Sequence, residues 1–317
     1  MSMSQQAALK KLQATELEIL LVFKKWCNEN NITWFIDSGT CLGAMRHQGF
    51  IPWDDDIDVG LPRKDYERLL ALSKDGFPEG YSIHTSEDDG YTSLFAKMYK
   101  DETVFATQTT EEAGGSQGIY IDIFPYDYLH NDPERRTKQE RRCANLQKLM
   151  YMYYLGNVEV PHIGLIGKLE KLLCRIGHFL VKPFVTPQRI QKRFDFEAQR
   201  GTEGSGVLEC LPFAGYAPPI GEEVLFPVCE LEFEGLKFPG PCNAERYLEL
   251  MYGDWTALPP PLRKGIRIYR KRLSFPISLN GLLAHSVWMA RSEHSVYRKQ
   301  QFHTSTSCRN LFNMREQ

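Results

Sequence analysis

The sequence lacks a CxxC cysteine pair, a long apolar run and a strong net charge. Its eight cysteines are scattered along 317 residues, and this spacing excludes a zinc knuckle or a CxxC redox motif. No segment approaches the roughly 20 apolar residues that a bilayer-spanning helix needs, and the opening MSMSQQAALKK has no apolar stretch of the signal-peptide kind. These absences predict a cytoplasmic protein that is not integral to a membrane.

The balance of charge also excludes one class of partner. Lys and Arg together number 38 and Asp and Glu 40, which gives a formal charge of −2. Such a chain has no global positive field to hold a nucleic acid backbone, and we expect no nucleic acid partner. Hydrophobic residues make up 42% and charged residues 25% of the chain, a composition typical of a globular protein with a packed core.

Hydrophobic periodicity predicts an opening of alternating helices and strands. An amphipathic helix is predicted over residues 7–29, where apolar positions recur at helical spacing. The β-branched and aromatic run Ile32–Asp37 predicts a strand that enters a tight turn at Ser38–Thr40. The elements predicted after this turn are a helix over Cys41–His47, a strand over Ile57–Leu61 and a helix over Lys64–Ser73.

The clearest strand pattern is Gly118–Phe124, in which Ile119, Ile121 and Ile123 share one face. Because successive side chains of a strand alternate, Asp122 must lie on the opposite face, where a buried acid needs a partner. Neighbouring strands are predicted over Tyr81–Thr85, Leu94–Tyr99 and Thr103–Ala106. Together these elements predict a mixed α/β (α+β) fold.

The character of the sequence changes three times after residue 130. Residues 131–205 show helical patterns separated by prolines, which predicts a helical insertion. Residues 206–272 are predicted to return to the core, with a hairpin over Val228–Phe238 and a helix over Asn243–Tyr252. Residues 273–317 show no consistent period, and the sequence pattern gives no prediction for the structure of this tail.

The densest chemical signal is the acidic run from Asp54 to Asp58. Asp56 and Asp58 stand two apart on a predicted strand and therefore point to the same side, where their charges repel. A divalent cation between them would relieve the repulsion, and oxygen-only ligands suit Mg²⁺ or Mn²⁺. The alternative is a solvated acidic loop, which is common for an isolated acidic run.

Two neighbouring features favour the metal hypothesis. Gly39 permits close backbone approach, and Thr40 offers a hydroxyl and an N–H at a predicted helix start, a place suited to phosphate oxygens. Asp122 supplies a third carboxylate from another strand. The combination resembles the nucleotidyltransferase-fold superfamily, which pairs a Gly-Ser or Gly-Thr turn with two acids on one strand and a third on a later strand.

The resemblance narrows to one family on three stretches of sequence. Residues 37–59, DSGTCLGAMRHQGFIPWDDDIDV, are similar to the signature of the LicD family, which includes phosphocholine transferases and fukutin-related proteins. Tyr120–Tyr126 and Tyr252–Trp255, the latter followed by Pro259 and Pro260, are also similar to stretches of that family. The resemblance extends over approximately residues 15–262 and implies a nucleotidyltransferase-like small sheet flanked by helices, with residues 1–130 as the catalytic core.

The resemblance also implies roles for individual residues. Asp56 and Asp58 would hold the metal with Asp122. Asp54 and Asp55 would not contact the metal but would lie behind its ligands or serve the local structure. Gly39 and Thr40 would hold the donor phosphates. Two cations for a diphosphate are predicted at Arg46 and at Lys97, although either side chain could equally be solvated.

The activity implied is a Mg²⁺- or Mn²⁺-dependent phosphotransferase. Its donor would be a nucleotide diphosphate, with CDP-choline as the leading candidate, and its acceptor a sugar hydroxyl of a cell-surface glycan such as lipopolysaccharide or teichoic acid, or of a precursor. One alternative is a nucleotidyltransferase that releases pyrophosphate. Another is a binding or scaffold protein that keeps the fold without turnover.

One helical segment allows two interpretations. Ile163–Val185 mixes Leu, Ile and Phe with basic residues, so it could pack within its own domain or rest on an anionic membrane surface. Acceptors in the LicD family are often built on lipid carriers, which adds weight to the second interpretation. The predicted location is therefore cytoplasmic, with peripheral membrane contact as an alternative.

Overall fold

The computed structural model describes residues 3–156, 164–258, 268–274 and 286–290. Its helices are α1 (Met3–Glu29), α2 (Ser38–His47), α3 (Arg63–Leu72), α4 (Gln108–Ala113), α5 (Pro133–Tyr154), α6 (Leu165–Val181), α7 (Pro187–Ala198), α8 (Glu222–Leu225) and α9 (Ala244–Tyr252). Its strands are β1 (Phe35–Ile36), β2 (Asp58–Pro62), β3 (Tyr81–His84), β4 (Ala96–Lys100), β5 (Val104–Ala106), β6 (Ile119–Tyr128), β7 (Val207–Glu209), β8 (Ile220–Gly221), β9 (Cys229–Phe233), β10 (Leu236–Gly240), β11 (Ile268–Ser274) and β12 (Ser286–Ala290). The predicted mixed α/β fold is confirmed.

The central sheet has the strand order β1-β2-β6-β4-β3, and β7 and β8 extend it from β6. Strands β2 and β6 run parallel, with Asp58 paired to Asp122. Strand β4 runs antiparallel to β6 and places Lys97 opposite the same Asp122. The register of three adjacent strands therefore aligns two acids and a lysine across the sheet.

The two faces of the sheet are covered by different elements. On one face, Ile119, Ile121 and Ile123 are fully buried in a core shared with Ile19 and Phe23 of α1. This arrangement confirms the predicted apolar face of β6 and explains why a long amphipathic helix opens the chain. On the other face, a second core contains the β6 residues Phe124 and Tyr126, together with residues of α2 and α9.

The predicted helical insertion is present as α5, α6 and α7. Two of these helices begin with the Pro that follows an N-cap residue: Asp132 caps α5 and Thr186 caps α7, as expected because Pro has no N–H to leave unsatisfied at a first helical position. Helices α5 and α7 share a third core with the end of β6. The bounds of the insertion as a separate domain stay a prediction.

The C-terminal elements follow the sequence pattern closely. Strands β9 and β10 form the predicted hairpin, and Glu234 and Gly235 between them both have positive φ, at 52° and 71°. Two such residues give the tight turn that matches the twist of a hairpin. Helix α9 is capped by Asn243 and ends before Gly253, so the predicted helix is also confirmed.

The predicted ends of three elements, α2, β2 and β6, are wrong. Helix α2 begins at Ser38, so Ser38–Thr40 form its first turn and do not precede it, because Asp37 acts as its N-cap. Strand β2 begins at Asp58, so Asp56 lies just before the strand. Strand β6 continues through Pro125 to Tyr128. Pro125 pairs with Leu61 of β2, while on the other side the pairing with β4 ends at Ile123 and that with β7 begins at Asp127, so the proline has a partner strand on one side only.

Some expectations fall outside the described residues. These include Pro259 and Pro260 and most of the tail 273–317, where the backbone is described for the end of β11 and for β12. Strand β11 pairs with β5 and β12. Among the described helices, none combines the length and hydrophobicity needed to cross a membrane.

Candidate active site

The centre of the candidate site is the pair of carboxylates on β2 and β6. Asp58 and Asp122 are paired in the parallel register, and the N–H of Asp122 also donates to the main-chain oxygen of Ile57 at 2.8 Å. Both side chains are buried, with 5% and 8% of their surface exposed. Because the sheet fixes both backbones, the two acids are held side by side at low solvent exposure.

The start of α2 is tied directly to this pair. The N–H of Asp58 donates to Thr40 Oγ1 at 2.8 Å, and the N–H of Asp37 donates to the main-chain oxygen of Asp58 at 2.9 Å. Thr40 is itself buried. The hydroxyl of Thr40 therefore positions the metal-binding candidate Asp58, a role that the sequence did not indicate.

Lys97 is the basic partner of the third acid. Its Nζ lies 2.6 Å from Asp122 Oδ1, and it also lies over the ring of Tyr120 at 3.5 Å from the centroid. The Lys97 side chain is 9% exposed. The cation predicted from the sequence is thus at the acids, paired with Asp122 and flanked by an aromatic face.

The acidic loop before β2 supplies further carboxylates. Asp54 and Asp55 are buried and Asp56 is partly buried, and one carboxylate oxygen of each lies within 4.8 Å of the others. Asp56 also acts electrostatically on both Asp58 and Asp122. The cluster is therefore larger than the predicted trio, and Asp54 and Asp55 are part of it.

The pKa values reflect this crowding. Burial raises the pKa of Asp58 well above its usual 3.8, and the carboxylates of Asp56 and Asp122 raise it further. The pKa of Asp54 is raised for the same reasons, by burial and then by Asp56 and Asp55. Burial also raises the pKa of Asp122, although Lys97 opposes the shift and brings it to about 6. The fold holds these acids where their ionised forms are unfavourable without added positive charge.

A divalent cation fits this set of residues. All the candidate ligands are carboxylate oxygens, which bind hard cations such as Mg²⁺ or Mn²⁺, and one oxygen each of Asp54, Asp55 and Asp56 lies within 4.8 Å of the other two. A positive ion would also reverse the pKa increases, since it favours the ionised carboxylates. Asp56 acts electrostatically on the other two predicted ligands, Asp58 and Asp122, and metal binding by that trio stays a prediction.

The first turn of α2 faces the same region of the fold. Gly39 and Thr40 lie in this turn, and first-turn amides have no acceptor within their own helix, which suits them to bind phosphate oxygens. Asp37 caps the helix and accepts hydrogen bonds from Ser38 N and from the hydroxyls of Tyr126 and Tyr247. The cap network fixes where the turn begins.

Arg46 is placed differently from Lys97. Its guanidinium donates to the main-chain oxygens of Trp255 and Ala257, at 3.2 and 3.3 Å. Arg46 therefore connects α2 to the segment after α9. His47, one residue on, has its ring edge against Trp53, and burial followed by the charge of Arg46 lowers its pKa.

A surface pocket adjoins the acids on the β4 side. Its lining includes Tyr91, Tyr99, Asp88 and Ser93, and it also includes Lys97. The ring of His84 stacks on Tyr99 at 3.9 Å, so the pocket combines aromatic faces with carboxylate and hydroxyl groups. The pocket and the acids share Lys97, which pairs with Asp122, whereas the acids themselves are not part of the lining.

Sequence reasoning missed the residues that support the site. Asp37 was visible as an acid directly before a helix start, the usual N-cap signal. Tyr126 and Tyr247 gave no signal, since their contact with Asp37 joins residues 89 and 210 positions apart in sequence. The partner that Asp122 was expected to need is Lys97, which only the register of β4 against β6 reveals.

Comparison with known proteins places the chain. Residues 31–150 match the family described as LicD/FKTN/FKRP, nucleotidyltransferase domain. The chain is 28% identical over 262 residues to the lipopolysaccharide cholinephosphotransferase LicD of Haemophilus influenzae, which covers 80% of this chain and 92% of that protein. It is 33% identical over 114 residues to human ribitol-5-phosphate transferase FKTN, covering 34% and 25% of the two chains.

A third relative has no function in its name. It is an uncharacterized protein of Rickettsia typhi, 40% identical over 163 residues, which are 49% of this chain and 45% of that one. The matched domain contains all the acids of the site, together with the first turn of α2 and Lys97. Residues 31–150 are thus a domain of the LicD/fukutin-related family.

Proposed function

We propose that this protein is a divalent-metal-dependent phosphotransferase that moves phosphocholine from CDP-choline to a sugar hydroxyl of a cell-surface glycan or its precursor. The relatives LicD and FKTN are named as transferases of phosphorus-containing groups, and the chain is a transferase of this class. Choline is proposed as the transferred group because LicD, similar over most of both chains, is named for it.

The observation that carries the proposal is the aligned trio of Asp58, Asp122 and Lys97 across three strands. Two buried acids side by side, with more acids in the preceding loop, suit phosphoryl transfer, in which positioning and charge compensation do most of the work. When bound, Mg²⁺ or Mn²⁺ would supply positive charge to the donor phosphates.

The residues of the chain would act in three ways. The first-turn amides of α2 at Gly39 and Thr40 would bind phosphate oxygens. Lys97 would offset negative charge beside the reacting phosphorus. Asp122 would take the proton of the acceptor hydroxyl on the oxygen that Lys97 does not bind.

In this reaction one bond forms and one breaks at the β-phosphorus of the donor. The acceptor oxygen bonds to phosphorus, the bond from phosphorus to the bridging oxygen breaks, and CMP leaves with the electron pair. The hydroxyl proton passes to Asp122.

The test is ³¹P NMR of the protein with Mg²⁺ and CDP-choline, followed through slow donor hydrolysis without an acceptor. We expect CMP and phosphocholine to appear only with metal, and Asp58→Asn to slow their release more than about hundredfold. Asp75→Asn, the same chemical change at an exposed position, should have no effect.

Other products would point elsewhere. Pyrophosphate from a nucleoside triphosphate would show nucleotidyl transfer at the same site. Metal binding without cleavage of any CDP-alcohol, in the presence of candidate glycan acceptors, would indicate a binding protein. Full turnover by Asp58→Asn would contradict the assignment of the site.

A further inference from the structure

The largest exposed apolar surface of the described residues lies on α6. Leu169, Leu172, Leu173, Ile176, Phe179, Leu180 and Phe184 form what we call the apolar stripe, and their side chains are between 46% and 77% exposed. They account for seven of the fifteen exposed large hydrophobic residues in the described part of the chain. The other eight are spread over separate elements, so the stripe is a local cluster. Exposed apolar clusters of this kind are typical of surfaces that bind a protein or a membrane.

The stripe follows one side of the helix. Its six members within α6 recur at spacings of three and four residues, which places them on one face of the helix, and Phe184 lies in the turn that follows. The opposite side is held to α5: His178 Nδ1 lies 3.0 Å from the main-chain oxygen of Met152, and Gly177 leaves room for the Met152 sulfur. The helix is thus fixed to the protein along one side and presents the other to solvent.

A row of cations borders the stripe. Lys168, Arg175 and Lys182 are spaced seven residues apart and therefore fall on one line along the helix. All three of these cations are exposed. Over residues 165–184 four basic residues stand against one acid, a net charge of +3, whereas the whole chain has −2. Positive charge is concentrated where the apolar surface is.

We infer that the apolar stripe docks on the surface of an anionic membrane, with α6 parallel to the bilayer. An apolar face bordered by Lys and Arg is the chemistry that inserts between lipid headgroups and attracts anionic lipids. The 17 residues of α6 are too few to span a bilayer, so the helix would lie in the interface. This inference is independent of the proposed function.

A second copy of the chain is a weaker candidate for the occupant. The facing copy would present the same basic border, and the segment has only Glu170 to pair with four bases. An anionic lipid surface, in contrast, offers negative charge along the whole row. Charge complementarity therefore favours the membrane.

The test is co-sedimentation of the full-length protein with vesicles of phosphatidylcholine, with and without phosphatidylglycerol, at two salt concentrations. We expect binding to the anionic vesicles, weaker binding at high salt and little binding to phosphatidylcholine alone. The double variant Leu172→Glu/Phe179→Glu should lower the partition coefficient at least about tenfold. The control Tyr216→Glu/Leu258→Glu changes equally exposed apolar residues outside α6 and should bind as wild type.

A second pair of variants tests the cations. Lys168→Ala/Arg175→Ala should weaken anionic binding by about fivefold for each charge removed. Arg141→Ala/Lys148→Ala, which removes the same charge from exposed positions of α5, should have a much smaller effect. Circular dichroism would verify that all variants are folded.

The inference is overturned if wild type does not bind anionic vesicles or if the stripe variants bind as well as wild type. It is also overturned if the stripe variants change only the oligomeric state in sedimentation velocity, because the stripe would then be an interface between copies.

Discussion

Asp122 and Asp127 lie five residues apart on the same strand, β6, in opposite electrostatic surroundings. Asp127 is held by Arg63 through two hydrogen bonds of 2.7 Å, one to each carboxylate oxygen, and the same guanidinium reaches Asp195 at 3.5 Å. Asp122 has Lys97 on one oxygen but faces the carboxylates of Asp58 and Asp56.

This contrast distinguishes Asp127, whose charge stabilises the fold, from Asp122, to which we assign a role in the proposed reaction. The Arg63–Asp127 pair is bidentate, and each group satisfies the other, so it ties α3 to β6 with no need for a ligand. At the other end of β6 the acids raise one another's pKa values, which costs folding free energy. A bound cation and a substrate would offset this cost in folding free energy.

The largest effect we predict is that of Asp58→Asn. Transfer activity should fall by about a thousandfold, since the variant loses a carboxylate at the centre of the site. In metal-free buffer the same variant should be more stable than wild type, because one of the repelling charges is gone. Thermal unfolding with and without Mg²⁺ measures the second effect. If the metal-free variant is less stable than wild type, the acids around Asp58 do not destabilise the metal-free fold.

At the other end of β6, Asp127→Asn should destabilise the protein by about 3 kcal/mol, because Arg63 loses its bidentate partner and keeps only the longer contacts to Glu67 and Asp195. Activity per folded molecule should stay close to that of wild type. Urea unfolding measures the loss, with Asp75→Asn as the control at an exposed position. A stability equal to that of wild type would show that the Arg63 pair is not structural.

The acids also predict a pH dependence. The pKa of Asp122 is about 6 in the fold against 3.8 ordinarily, so between these values the folded state keeps a proton that the unfolded chain has lost. Stability relative to Asp122→Asn should therefore fall by about 3 kcal/mol as the pH rises from below 4 to above 6. Urea titrations in metal-free buffer test this, and saturating Mg²⁺ should reverse the trend. A difference that is independent of pH would contradict it.

A smaller effect is expected at Thr40. Thr40→Val keeps the shape but removes the hydroxyl that accepts from Asp58 N, and an unpaired buried N–H costs about 1 to 2 kcal/mol. Activity should fall as well, because Asp58 is no longer fixed. Thr40→Ser restores the hydroxyl and should recover both stability and activity. Equal behaviour of the Val and Ser variants would exclude a positioning role.

Sequence patterns predicted what depends on local order. The alternation in Ile119, Ile121 and Ile123 placed Asp122 on the correct face of β6, and Glu234-Gly235 indicated the hairpin turn, because both signals lie within a few adjacent residues. Asp37 was quoted as part of the signature, but its function as an N-cap, which moves the start of α2 to Ser38, was not recognised.

The remaining features depend on contacts distant in sequence. The pairing of Lys97 with Asp122 follows from the register of β4 against β6, and the hydroxyls on Asp37 come from β6 and α9. No local pattern encodes a register or a contact over 200 residues. The joining of Arg46 to the segment after α9 is hidden from sequence reasoning for the same reason.

We expect the acids around Asp58 and Asp122 to bind a divalent cation and the Arg63–Asp127 pair at the other end of β6 not to bind one. Isothermal titration of Mn²⁺ into metal-free wild type, Asp58→Asn and Asp127→Asn tests it directly. We predict saturable binding with proton release for wild type, the same binding for folded Asp127→Asn, and binding weakened about a hundredfold or lost for Asp58→Asn. Equal binding by wild type and Asp58→Asn, or no binding by wild type, would contradict the account.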